Sequence, residues 1–395
     1  MRILIVHNFY HESGGEDEVF QQECSLLANA RHDIRTYCRS NAEIATYTAW
    51  QRVGLAKRVI WASDTHEDFA TLLQRERPEI IHVHNTFALI SPAIYSACSE
   101  AHIPVVQTLH NYRLSCPAAT FFRNGGICEE CTEHGFWRGI RHGCYRGSRT
   151  ATANIALMLS LHRKLGTWRE QVDCYVALTE FARRKFIAGG LPPEKIVVKP
   201  NCLYADPGEG NCTREYALFV GRLDPVKGVA TLLTAWARLP YRIPLHVVGD
   251  GPLRTKLEAQ ASQLGLANVR IHGQLSRGQV VEFMKSARFL IFPSEWYEGF
   301  PMTIAEAFAC GTPVICSRLG AMEEIVADGR TGLHFSAGNA EEIAQKTEWA
   351  WAHPSRMAEM GRAARAEYET KYTAQRNYRL LMDIYERAIQ IRKAA

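Results

Sequence analysis

The sequence predicts an α/β protein made of two doubly wound, parallel-sheet units, and three observations carry that expectation. Short β-branched runs alternate with helical patterns along all 395 residues, as parallel strands alternate with crossover helices. One stretch without periodicity, PNCLYADPGEGNCTRE at 200–215, interrupts the alternation; its Pro, Gly and Asn content is that of a linker. At about 150 residues per domain, the length suits two or three cores.

In the first half, ILIVHN at 3–8 reads as a strand and SGG at 13–15 as a loop. Val19, Glu23, Leu26, Leu27 and Ala30 then follow at helical spacing. DIRTYC, EIIHVHN, PVVQTLH and VDCYVAL read as further strands. Thr179 is suited to cap the helix after the last of them, and Gly189-Gly190 to stop it. Residues 1–200 are therefore expected as one unit, 201–215 as the linker and 216–375 as the second unit. In the second half YALFVG, PLHVVG, NVRIH, RFLIF, TPVICS and GLHF read as strands, separated by helices such as 228–238, 252–264, 277–286 and 301–310. From 339 to 395 the pattern is helical throughout.

Composition narrows the class. With 46 basic and 41 acidic residues, 47% hydrophobic and 22% charged, the chain has ordinary globular usage, which excludes disorder and collagen-like repeats. A net charge of +5 does not point to nucleic acid. The apolar run IALMLSL at 155–161 is far shorter than the roughly 18 residues of a membrane span. The N-terminus MRILIVHNFY lacks a small-residue cleavage site and reads as a strand rather than a signal peptide. A cytoplasmic, reducing setting is expected, in which the 12 cysteines are thiols or metal ligands rather than disulfides.

Four segments would lie at the carboxyl ends of the two sheets, where ligands of such folds bind. In VGRLDPVKG at 220–228, Arg222 and Lys227 stand between a strand end and a helix start. Two cations beside free helix amides make an anion site, Arg gripping oxygens bidentately and Lys adding a point charge. In SEWYEGFPMTIAEAFACG at 294–311, Glu298 lies on a loop and Glu306 on the following helix. Carboxylates there can accept hydrogen bonds from sugar hydroxyls, and the amides around Gly299, Phe300, Pro301, Met302 and Thr303 can serve hydroxyls or phosphate. Gly249 and Gly251 in VVGDGPLR allow close backbone approach, although a lone G-x-G is a weak signal. In the first half, Gly14 and Gly15 form a glycine loop, and His110 in LHNYR follows a strand.

Together G-R-x-x-x-x-K-G at 221–228, G-D-G-P-L at 249–253 and E-G-F-P-x-x-x-x-E at 298–306 resemble the retaining, nucleotide-sugar-dependent glycosyltransferases of family four. The resemblance implies the GT-B fold, in which two Rossmann-like domains face each other across a cleft, and the return of the last helix, 376–395, to the first domain. It implies that Arg222 and Lys227 hold the donor diphosphate, that Glu298 faces the donor sugar, and that Glu306 binds the ribose. It also implies that Gly14 and Gly15 approach the diphosphate and that His110 lies beside the sugar. Gly249, Gly251 and the 299–303 turn fall to the donor side. No Asp-x-Asp occurs in the chain, which favours donor binding without a metal and no cofactor for catalysis.

Cys116, Cys128, Cys131 and Cys144 have the spacing C-x11-C-x2-C-x12-C. Four thiolates suit a structural zinc; His134 and His142 are substitute ligands, and an iron-sulfur cluster and unpaired thiols remain open. Basic residues from Arg138 to Arg169 surround ANIALMLSL, which reads equally as a helix resting on anionic lipid or as a solvated helix face. The expected function is transfer of a hexose from a nucleoside diphosphate sugar to a hydroxyl of a glycan or lipid-linked glycan. The setting would be polysaccharide or cell-surface glycan assembly, in the cytoplasm or at the inner membrane face. A nucleotide-sugar epimerase or hydrolase, or a metal-binding protein with an inactive cleft, are the alternatives.

Overall fold

The computed structural model describes all residues except 12–13, 211–214 and 395, so Ser13 of the glycine loop and part of the expected linker lie outside the described residues. The chain divides into two compact units, one of residues 1–123, 128–201 and 377–395, the other of 124–127 and 202–376.

The first unit carries a six-stranded parallel sheet. Its strands are β1 (Arg2–Phe9), β2 (Asp33–Ser40), β3 (Ile80–Val83), β4 (Val105–Leu109), and, after a two-residue ribbon of β5 (Phe122–Arg123) and β6 (Gly126–Ile127), β7 (Cys174–Ala177) and β8 (Ile196–Val198). The order is β2-β1-β3-β4-β7-β8. Its central strands are covered on both faces and read as continuous apolar runs for that reason; all four residues of β3 and all five of β4 are buried. Ile3, Ile5, Ile80, Val106 and Val176 form one core, into which the last helix, Ala374–Ala394, inserts Leu381, Ile384, Tyr385 and Ala388. The Thr179 hydroxyl accepts from the Ala182 amide, capping the helix Glu180–Ala188, which ends just before Gly189.

The second unit holds β9 (Tyr216–Val220), β10 (Leu245–Val248), β11 (Val269–Gly273), β12 (Ala287–Phe292), β13 (Val314–Ser317) and β14 (Gly332–Phe335), in the order β11-β10-β9-β12-β13-β14 with every pair parallel. Apolar clusters hold this sheet. One joins Leu218, Leu290 and Val314 to Ile304 and Phe308, the other joins Phe219, Val247 and Ile291 to Leu232 and Trp236.

The segment expected as a linker begins as packed structure. Leu203 is buried in the second core and its amide donates to Tyr372 O at 3.0 Å. Asp206 is held by the two terminal Arg365 nitrogens, at 2.7 and 2.6 Å. Composition flagged Pro and Gly but could not show that this one leucine buries. Strand β8 also escaped the sequence pattern, since three residues are too few for a period to emerge.

Candidate active site

In a doubly wound sheet, ligands bind beyond the strand ends where the order reverses. In the second unit that point lies between β9 and β12, and the loops leaving these two strands are 221–228 and 293–301. The first loop reaches Gly228, whose backbone is left-handed at φ 69° and whose added Cβ would lie 2.0 Å from Pro293 O, so only glycine lets the loops touch. The Glu295 amide donates to Val226 O at 2.8 Å and ties them together.

Across this junction Lys227 Nζ donates to Glu298 Oε1 at 2.7 Å, and Ser294 Oγ donates to the same oxygen at 2.7 Å. Glu298 is buried, whereas Lys227 keeps about a fifth of its side chain exposed. Arg222 is largely exposed and pairs with Asp224. Cation and carboxylate, distant in sequence, are thus brought into direct contact. Asp224 and Ser294 had no signal in the sequence, since neither lies in a spacing that suggests chemistry. Pro301 precedes the helix Met302–Ala309; Glu306 lies on that helix, half-buried, with Met302 and Thr303 in its first turn. Phe300 packs against Tyr372, with ring centres 5.6 Å apart, so its ring is a wall of the core as well as part of the turn. Gly249 and Gly251 have a structural reason to be glycine. An added Cβ would lie 1.9 Å from Gly221 O at the first position and 2.8 Å from Leu223 N at the second, so these glycines let the 249–251 loop press on the Arg222 loop.

In the first unit the order reverses between β1 and β3. Gly14 precedes the helix Gly15–Asn29, and its amide donates to Asp17 Oδ2 at 2.9 Å while Asp17 Oδ1 meets His7 Nε2 at 2.7 Å. This buried pair fixes the glycine loop to β1. Among the described residues, added Cβ atoms at Gly14 and Gly15 of this loop would meet nothing within 4 Å. Glu16, beside it, receives the Asn111 side-chain amide at 3.2 Å. Burial pushes this carboxyl up to about 7, even against the Asn111 hydrogen bond.

His110 stands at the end of β4, half-buried, with Nε2 2.9 Å from His84 Nδ1. Both imidazoles line a pocket with about 50 Å³ of free space, together with Asn85, Phe87, Asn111 and Arg113. Burial holds His84 down at about 4, with His82 adding to the effect, and burial with His84 beside it holds His110 well below the ordinary imidazole value. Both rings are therefore neutral at pH 7.

Behind them lies a charge cluster that the sequence did not reveal. Glu23 Oε1 lies 2.8 Å from His82 Nδ1 and 3.3 Å from His84 Nε2, while Glu23 Oε2 accepts from Lys199 Nζ at 3.0 Å. Burial alone would raise the Glu23 carboxyl, but Lys199 and His82 hold it well below the carboxylate range. Glu23, His82 and His84 place three ligand atoms within 4.8 Å of one another. Lys199 already supplies the compensating charge, however, and a divalent ion beside that buried ammonium would be repelled. Helical spacing flagged Glu23 only as a helix-face residue.

Cys116, Cys128, Cys131 and Cys144 lie in the first unit as free thiols. Among the described residues, no three of their sulfurs lie within 4.8 Å of one another. That is wider than the closed zinc shell their spacing suggested.

Comparison with known proteins identifies the class. Residues 14–202 match the family model of the glycosyl transferase 4-like domain, and residues 208–367 match that of the group 1 glycosyl transferases. The chain thus carries a 4-like glycosyltransferase domain followed by a group 1 glycosyltransferase domain. It is 35% identical over 161 residues to D-rhamnosyltransferase WbpZ of Pseudomonas aeruginosa, covering 40% of this chain and 42% of that one. It is 27% identical over 216 residues to a lipopolysaccharide 1,2-N-acetylglucosaminetransferase of Salmonella typhimurium, covering 49% and 56%. The matches span about half or less of these curated relatives. Among solved structures, sucrose-phosphate synthase of Thermosynechococcus elongatus superposes with a TM-score of 0.71 at 17% identity, covering 100% of both chains. Anabaena HepE in complex with UDP and glucose superposes at 0.70 and 17% identity, covering 97% of this chain and 98% of that one. These neighbours show the GT-B glycosyltransferase type of fold. Among the described residues no helix is long and apolar enough to cross a membrane.

Proposed function

We propose that the protein is a retaining glycosyltransferase that moves a hexose from a nucleoside diphosphate sugar to a hydroxyl of a glycan or lipid-linked glycan. Its setting would be polysaccharide or cell-surface glycan assembly in the cytoplasm. The observation that carries the reading is the Lys227–Glu298 contact at 2.7 Å, at the strand-order reversal of the second sheet. As the bond to the anomeric carbon breaks, negative charge grows on the diphosphate and positive character on the sugar ring. A cation and a buried carboxylate held side by side answer both charges without reorganising. Arg222 and Lys227 would take the diphosphate, Glu298 the sugar and Glu306 the ribose. In the family's usual account of retention the departing phosphate takes the acceptor proton, so Glu298 is not assigned as a nucleophile.

A panel of nucleoside diphosphates in the presence of EDTA tests the donor assignment, because a ligand that binds only the folded state raises the unfolding temperature. At a hundredfold excess over its Kd the gain is about 2.7 kcal/mol. UDP leads the panel, since HepE is seen with UDP. A rise with one base and no need of metal is expected; no rise with any would remove the donor site.

Contact with a membrane surface would bring a lipid-linked acceptor within reach. The helix Arg149–Lys164 buries Ile155, Met158 and Leu159. On its outer side and just beyond its end Leu157, Leu161 and Leu165 are exposed, at 55%, 38% and 58%, amid the exposed cations Arg149, Arg163 and Lys164. Exposed leucines flanked by cations suit anionic headgroups. Cosedimentation with phosphatidylglycerol vesicles, and none with phosphatidylcholine vesicles, is expected; protein left in both supernatants would refute the contact.

A further inference from the structure

Two neutral imidazoles in contact share one proton, and the nitrogen that carries it decides what each ring offers to a ligand. His84 and His110 are such a pair, Nδ1 of the first lying 2.9 Å from Nε2 of the second. One of these two nitrogens donates and the other accepts. The buried groups behind His84 decide which.

Lys199 follows β8 and is only 2% exposed. Its ammonium can only donate, and it meets Glu23 Oε2 and Asn377 Oδ1, each at 3.0 Å. Glu23 lies on the helix Gly15–Asn29 and Asn377 on the last helix, so three elements of the first unit converge on this contact. A protonated Glu23 would leave the buried ammonium without a counter-charge, so the contact selects the carboxylate, which only accepts. Its Oε1 faces two imidazoles, His82 Nδ1 at 2.8 Å and His84 Nε2 at 3.3 Å. The Thr108 and Tyr385 hydroxyls, each 2.8 Å from a His82 nitrogen, can donate or accept and so adapt to either form of that ring. His84 is more constrained. Its Nε2 is buried, with no hydrogen-bond partner elsewhere among the described residues. A lone pair there would face the carboxylate lone pairs in a dry interior, so the His84 proton belongs on Nε2. Its Nδ1 is then the acceptor of the shared contact, the proton between the rings belongs to His110 Nε2, and the His110 lone pair falls on Nδ1.

We propose that Glu23, acting through His84, is a positioning residue that fixes His110 with its proton on Nε2, so that His110 Nδ1 accepts a hydrogen bond from a ligand hydroxyl. The pocket lined by both rings supplies the reason for a hydroxyl. Gln107 and Arg113 line the same pocket, and each keeps one buried polar atom, Oε1 and Nε, without a hydrogen-bond partner among the described residues. An unpaired acceptor beside an unpaired donor calls for a group that both donates and accepts, as a hydroxyl does. Naming that hydroxyl a sugar's rests on the transferase reading; the tautomer does not.

Full-length protein with 15N-labelled histidine rings reads the tautomer directly, because protonated and bare ring nitrogens resonate far apart. His110→Gln identifies the His110 signals by their loss. In the wild type at pH 7 the His110 proton is expected on Nε2; a proton on Nδ1, or one exchanging between the two nitrogens, overturns the proposal. Glu23→Gln is expected to reverse the chain. Lys199 still needs an acceptor, so the amide turns its oxygen to Lys199 and its nitrogen to the imidazoles. His84 Nε2 then accepts, His84 Nδ1 donates, and the His110 proton moves to Nδ1. A Glu23 that served only packing would leave the His110 ring as in the wild type, and that result overturns the proposal. Should the variant fail to fold, the wild-type tautomer still decides. Transfer by the variant should fall about tenfold, the worth of one hydrogen bond, and unchanged transfer with the ring reversed overturns the contact with substrate. A wild type that shows the expected tautomer but no transfer counts against the transferase reading alone.

Discussion

Replacing Glu298 with Gln is expected to lower glycosyl transfer about a thousandfold, or ~4 kcal/mol in the barrier, without weakening nucleoside diphosphate binding. The amide keeps the size and can still accept from Ser294, so the loop keeps its course. The lost element is the negative charge that would face positive character on the sugar ring. Lys227, whose ammonium now bonds to Glu298 at 2.7 Å, is freed to meet phosphate, so diphosphate affinity should hold or rise. Initial rates with a labelled donor, together with calorimetric titration of the diphosphate, read the two effects separately. Wild-type turnover would take Glu298 out of the chemistry, and a parallel loss of diphosphate affinity would point to a collapsed loop instead.

The double variant Arg222→Ala, Lys227→Ala is expected to show the opposite pattern. Each cation would make a charge-assisted contact of about 1.5–3 kcal/mol, so losing both weakens diphosphate binding by roughly a thousandfold. The corresponding nucleoside should bind as before, because base and ribose do not meet these groups. Lys227→Ala alone should have the larger share. It also takes the neighbouring cation from the buried Glu298 carboxylate, leaving that charge to face the anion, whereas Arg222 is largely exposed and tied to Asp224. Equal losses for nucleoside and diphosphate would contradict the phosphate assignment.

Much of the fold was legible because the strands of both sheets are buried on two faces, which turns them into apolar runs set off by helices. Arg222, Lys227 and Glu298 were legible because they sit in short strand-to-helix segments punctuated by glycine, where local chemistry alone suggests an anion and a sugar. Short elements were not legible, β8 and the β5–β6 ribbon among them. Glu16 also escaped, because its raised pKa comes from burial, which a local pattern does not record.

The sequence by itself determined two parallel α/β units and the loops on which the candidate chemistry lies. Only the tertiary structure decided which of those side chains meet. Lys227 and Glu298 are 71 residues apart, and Glu23 and Lys199 are 176 apart. The physical reason is strand order. Local periodicity says that a strand buries both faces, but not which neighbour it takes. Placing β9 beside β12 sets the 221–228 and 293–301 loops side by side, and placing β1 beside β3 brings His7 within 6.2 Å of His84, ring centre to ring centre.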